Sequence, residues 1–233
     1  MALRAAGRQL REIHKRLLTA HGPQHWWPAN SAFEVMVGAV LTQNTAWTNV
    51  ERAIAALRSD ALLGPEAILA ADEVRLAAAL RPSGYFNVKA RRLRALCAWL
   101  VELGGVDGAA GLGVTQLRAS LLGVHGIGPE TADDIVLYAF GHPVFVIDAY
   151  TRRLYARLGQ IDGDEPYEQL RGWFEQSFGP DTGLFNEHHA LIVRHAKDVC
   201  RKRVPHCGHC VLSGRCAAYR TDPSRAVVRF PVR

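Results

Sequence analysis

Apolar residues recur along this chain mostly at the spacing of an α-helix. Leu10, Ile13, Leu17 and Leu18 predict a first helix over about Leu3 to Ala20, which His21-Gly22-Pro23 ends. Ser31 as N-cap, with Glu34 three residues on, reads as a capping box. It opens Ser31 to Gln43, which is apolar on nearly all sides and predicts a central, buried helix. Thr45 is placed to cap the next helix, carrying Val50, Ile54 and Leu57. Pro65 to Leu80 is helical and alanine-rich, and Arg81 to Phe86 is a turn. A helix through Lys89, Arg91, Arg92, Leu93, Leu96 and Leu100 presents its basic residues as a solvated face. Gly104 to Gly113 reads as a Gly/Ala-rich loop, and Thr115 to Leu122 as a helix. Further helices are expected over Tyr150 to Leu158, Tyr167 to Phe178 and Phe185 to Cys200. Pro143 to Ile147 is the one short extended run, so the fold class is all-α.

Composition narrows the partner. The formal net charge is +6 over 233 residues, with 48% hydrophobic positions. That balance suits a globular protein that meets an anion, nucleic acid above all. No apolar run reaches the ~20 residues of a membrane span. The basic, amphipathic N-terminus lacks the apolar core of a secretion signal. A cytoplasmic, nucleoid-associated monomer is expected.

Three clusters carry candidate chemistry. Gly126-Ile127-Gly128 between two helices lets the backbone turn tightly, and the N–H groups that open the second helix can face an anion. The setting from Leu122 to Thr131-Ala132 favours a grip on a DNA phosphate over an ordinary helix connection. Asp148 lies between the extended run and a helix start. It is either that helix's N-cap or an acid that stabilises an oxocarbenium-like sugar or orients water. Cys200, Cys207, Cys210 and Cys216 lie within seventeen residues at x6, x2 and x5 spacing. Zinc is one reading; the single x2 step suits a loop around a [4Fe-4S] cluster better. Cys97 reads as a buried structural thiol. Trp26-Trp27 are packing residues or pocket walls, and Gln43-Asn44 turn formers or groups presented at a site.

Together the hairpin, Asp148 and the cysteine spacing resemble the endonuclease III superfamily of DNA glycosylases, the helix-hairpin-helix-Gly/Pro-Asp proteins. The likeness runs over about residues 5 to 220. It implies a six-helix barrel domain at 28–135 with the hairpin, and a discontinuous cluster domain of 1–27 plus 136–233. The partner would be double-stranded DNA with a damaged base, flipped into the cleft between the domains. Asp148 matches the family's catalytic aspartate, and Gln43 a residue that plugs the gap left by the flipped base. Gly126, Ile127, Gly128 and Thr131 would bind DNA, with Asn44 beside the plug. Glu130 departs from the pattern, because bifunctional members carry there the lysine that forms a Schiff base with the sugar. A carboxylate cannot, so water is the implied nucleophile and the strand stays intact; Lys89 is the alternative lysine that could reach in.

Trp26-Trp27-Pro28, Gly38 to Thr45, Arg81-Pro82-Ser83-Gly84 and Gly126 to Asp133 are similar to the endonuclease III-like 3-methyladenine DNA glycosylases. The resemblance implies that Trp47 and one of Trp26 and Trp27 sandwich an alkylated base. Purines alkylated at N3 or N7 are cationic and stack well on indoles, and the charge already weakens the glycosidic bond. The expected activity is monofunctional excision of 3-methyladenine and 7-methylguanine. The competing readings are a bifunctional glycosylase for oxidised pyrimidines, a mismatch glycosylase for adenine or thymine, and a DNA-binding relative without catalysis.

Overall fold

The computed structural model describes residues 2–221, with side chains from residue 7 onward. The basic tail after Thr221 lies outside the described residues. Thirteen α-helices follow one another: α1 (Ala2–His21), α2 (Ala32–Leu41), α3 (Trp47–Ser59), α4 (Pro65–Ala70), α5 (Glu73–Leu80), α6 (Phe86–Glu102), α7 (Gly105–Ala110), α8 (Val114–Leu122), α9 (Pro129–Asp134), α10 (Ala149–Leu158), α11 (Tyr167–Phe178), α12 (Thr182–Asp198) and α13 (Ala217–Thr221). No strand forms among the described residues. The described helices include none long and apolar enough to cross a membrane.

The chain divides into two compact units. One takes the residues up to Trp26 and from Pro143 onward; the other is 27–142. The break falls later than residue 135 because α9 continues into a π-helical turn, Ile135–Ala139, that packs on α2.

In the 27–142 unit, α2 buries nine of its ten residues, Phe33 to Leu41, as its all-round apolar pattern predicts. Ser31 caps it, accepting from Glu34 N at 3.2 Å. The Glu34 carboxylate takes Arg58 at 2.9 Å, so only half of the expected capping box forms with Ser31. Thr45 does not cap α3: Ala46 holds the N-cap position, and the Thr45 amide closes a turn onto Thr42 O at 3.1 Å. Asp72 caps α5 through Val74 N and Arg75 N, which splits the helical stretch after Pro65 in two. The expected loop after Gly104 instead contains α7. Gly104 and Gly105 take left-handed φ of 84° and 86°, turn the chain after α6, and let the alanines that follow form a helix.

The other unit is organised by aromatic packing. Phe145 stacks on Phe174, ring centroids 4.3 Å apart, and meets Phe185 edge-on at 5.5 Å. Val144 to Ile147 are buried outside any helix, and no neighbouring strand satisfies them. Side chains do so instead: Phe145 N donates to Glu175 Oε1 (3.0 Å), and Ile147 N to the Tyr167 hydroxyl (3.3 Å). This strap delivers the chain to Asp148 in a fixed direction.

Candidate active site and DNA-binding elements

The hairpin joins α8 to α9. Gly126 has φ of +82°, and Gly128 is the extended N-cap with Pro129 at the first helical position, where a missing N–H costs nothing. Arg118 of α8 clamps buried Asp133 of α9 with two contacts, 2.6 and 3.2 Å, which locks the two helices at one angle. Ile127 is buried; Gly128 and Glu130 are exposed. Thr131 is buried and accepts from Gln43 Nε2 at 3.0 Å, while the same nitrogen reaches Gly126 O at 3.2 Å. Gln43 Oε1 accepts from Arg92 Nη1 of α6. The sequence-predicted Gln43, Gly126 and Thr131 thus meet at one point. Asn44 beside them is exposed and left-handed, φ +54°, a conformation that Asn tolerates better than most residues.

The basic residues of α6 do not all form a solvated face: Arg91 is exposed, whereas Lys89 is buried and Arg92 and Arg94 are partly so. Lys89 is 1% exposed, and its Nζ donates to Leu41 O (2.8 Å) and Ser83 O (2.7 Å). Burial, then the Arg92 charge, push its amine down to about 8. The ammonium pins the end of α2 to the Arg81–Ser83 turn through two carbonyls. Next to this turn stands Tyr85, 71% exposed in a left-handed conformation, φ +47°. The sequence marked it only as part of a turn.

Trp27 and Trp47 meet edge to face, centroids 5.2 Å apart at 87°. Tyr138 joins at 5.2 Å from Trp27. Sequence reasoning missed Tyr138 because it sits on the π-helical turn, which shifts side-chain direction off the 3.6-residue period. Trp27 packs closely over Gly38, where a Cβ would lie 3.1 Å from Trp27 Cζ2. Trp26 belongs to the other unit, where Lys197 Nζ lies 5.8 Å from its ring centroid.

Asp148 is both a cap and a buried acid. Its Oδ1 accepts from Thr151 N at 2.6 Å, and its Oδ2 lies 3.6 Å from His189 Nε2 of α12. Burial pushes the carboxyl upward, but the nearby His189 ring and the Thr151 amide outweigh it and hold the group below its ordinary value. A carboxylate shielded from water and kept ionised can stabilise a developing positive charge or orient a water molecule. His189 carried no sequence signal, because its partner is set by the packing of α10 on α12.

The four cysteines of the C-terminal loop line one cavity, walled by apolar residues such as Leu154, Leu158 and Leu212. None is in a disulfide. Arg157 of α10 donates to Cys200 Sγ (3.2 Å) and to the carbonyls of Arg201 and Lys202. Cys210 Sγ lies 3.4 Å from His195 Nε2, whose other ring nitrogen faces His21 Nε2 at 3.0 Å. Burial pushes the His195 ring down to about 4. Among the described residues no three His, Cys, Asp or Glu side chains close tightly enough to hold a single metal ion. Four thiols around one apolar cavity make a donor set that fits a thiolate-bound metal centre.

Residues 37–180 match the family described as HhH-GPD superfamily base excision DNA repair protein. A candidate DNA repair glycosylase of Methanocaldococcus jannaschii is 44% identical over 208 residues, 88% of this chain and 94% of the relative. The solved H. pylori 3-methyladenine DNA glycosylase bound to 1,N6-ethenoadenine is 29% identical, with a TM-score of 0.70, over 82% of this chain and 97% of its own. An endonuclease III in non-covalent complex with DNA shares the fold at a TM-score of 0.81 and 21% identity, over 94% and 98% of the two chains.

Proposed function

Since the chain belongs to the HhH-GPD superfamily of base excision DNA repair proteins, we propose that it is a monofunctional DNA N-glycosylase that excises cationic alkylated purines such as 3-methyladenine and 7-methylguanine. The observation that carries this reading is the contact of Trp27 with Trp47, backed by Tyr138. Three electron-rich rings suit a positively charged base. The indoles stand at right angles, so the base stacks on one ring face and meets the edge of the other, or the pair opens around it. The edge-to-face contact of Trp27 with Trp47 supports Trp27 as one wall of the pocket.

Each step follows from the residues at hand. The hairpin Gly126-Ile127-Gly128 with Thr131 takes a phosphate and sets the register of the protein on the duplex. Gln43 fills the gap that the extruded nucleotide leaves, and exposed Tyr85 offers a ring for stacking. The damaged base leaves as a neutral purine once its glycosidic bond breaks, because the departing electrons quench its positive charge. Asp148, an ionised carboxylate, steadies the oxocarbenium-like sugar and orients the water that adds to it. Glu130 on the first turn of α9 supports an intact strand as product. Cys200, Cys207, Cys210 and Cys216 would hold a [4Fe-4S] cluster, which supplies a cross-link for the C-terminal loop and a site for electron exchange.

The test is base release from methylated duplex DNA. We expect free 3-methyladenine and an alkali-labile but unbroken strand. Release of thymine glycol with strand cleavage, and none from methylated DNA, would replace this reading with the bifunctional one.

A further inference from the structure

Arg92 touches two functional elements at once. Its head group holds Gln43 Oε1, while Gln43 Nε2 donates to Gly126 O and Thr131 Oγ1. A guanidinium only donates, so Arg92 decides which end of the amide faces the hairpin. Its stem fills the space beside the turn: a Cβ built on Gly126 would lie 2.3 Å from Arg92 Cγ and 2.6 Å from Cδ. The left-handed glycine and the arginine are therefore fitted to each other. Lys89, one turn earlier on α6, fixes that helix against the end of α2, from which Gln43 emerges. Gln43 itself follows the last turn of α2, and its amide is held by Gly126, Thr131 and Arg92.

We propose that Arg92 is a positioning residue that couples the hairpin to Gln43, so that gripping the phosphate also sets the placement and polarity of the amide that fills the gap. This rests on the reading of Gln43 as the gap-filling residue. Without Arg92 the amide is free to flip and to leave the hairpin, and recognition of a gapped stack loses its preorganised group while the phosphate grip stays intact.

The experiment is a double-mutant cycle on DNA binding. Arg92→Met keeps the stem beside Gly126 and removes the donors; Gln43→Ala removes the amide; the third variant carries both. Affinity is measured by fluorescence anisotropy for a duplex containing a tetrahydrofuran abasic analogue and for the same duplex undamaged, across a salt series. We expect each single variant to lose about tenfold of the preference for the abasic duplex, the scale of one hydrogen bond to a charged group. The double variant should lose no more than either single one. Binding of Arg92→Met to undamaged duplex and its salt slope should stay as in the parent. Arg92→Lys, which restores a charged donor, should recover part of the preference. Additive losses would overturn the coupling. So would an equal weakening on both duplexes with a salt slope smaller by about one, which marks a phosphate contact. Full preference in Gln43→Ala would sink the gap-filling reading and the proposal with it. A sensitive Gln43→Ala beside an inert Arg92→Met would sink the coupling alone.

Discussion

Asp148 shows how much one residue can carry. As a cap it ties off α10; as a buried carboxylate it is held ionised by Thr151 and His189. Asp148→Asn should abolish base release while leaving DNA affinity near that of the parent, as measured by anisotropy. His189→Ala should act through the acid. It removes an influence that lowers the Asp148 pKa, so the acid limb of the rate profile should move to higher pH. The sign follows from the active species: the carboxylate works above its pKa, and activity falls as pH drops through it. The charged and titratable groups facing this pair are Tyr150, Arg153 and His188, whose own substitutions serve as controls. Lys89 offers a second check. Its folded-state value of about 8 lies below the ordinary 10.5, so between these the unfolded chain binds more protons. Stability should rise with pH across that window, and Lys89→Met should lack the rise and cost about 2–3 kcal/mol at neutral pH from two orphaned carbonyls. Thermal melts as a function of pH would read both effects. The sequence announced Asp148 by its place before a helix; it gave no hint of His189, which lies on another helix. It misassigned Lys89 because helical spacing shows which positions share a face, not what packs on that face.

At the scale of elements, the hairpin was legible and its bracing was not. Gly126 is where the chain must turn and where a side chain would meet Arg92, whereas Gly128 is an extended N-cap with open space beside it. Arg118, Asp133 and Arg92, which hold that turn, look in the sequence like surface charges. Gly126→Ala would have to abandon a φ of +82° and push Arg92 aside. We expect it to cost about 1–3 kcal/mol in a thermal melt. DNA affinity should fall by a similar factor on every duplex tested, because the hairpin reads no bases. The α7 helix escaped sequence reading because Gly104 to Gly113 has a loop-like composition, although Gly105 and Gly108 lie within the helix. Tyr138 escaped because a π-helical turn leaves no period to detect.

For the molecule as a whole, family membership was legible from three short motifs in a chain otherwise filled with ordinary helical pattern. Their strength lay in combination: hairpin, acid and cysteine spacing each had a plain structural explanation. The protein should be brown, with a broad absorbance near about 400 nm, if the cysteine loop holds an iron–sulfur cluster. Zinc in a colourless preparation would overturn that assignment. Replacing Cys216 with Ala should lower the melting temperature and loosen α10 and α13, leaving protection in the hairpin unit nearly unchanged. Mass-resolved hydrogen exchange distinguishes the two units.

The segment from Val144 to Ile147 has a consequence for measurement. A strand in a sheet owes its slow amide exchange to a row of neighbours and loses it only when the sheet opens. Here two protons, on Phe145 and Ile147, are guarded by single side chains, Glu175 and Tyr167. Tyr167→Phe should therefore speed exchange at Ile147 while Phe145 keeps its rate. The amide of Ile147 becomes a spectroscopic gauge of how firmly Asp148, its immediate neighbour, is held.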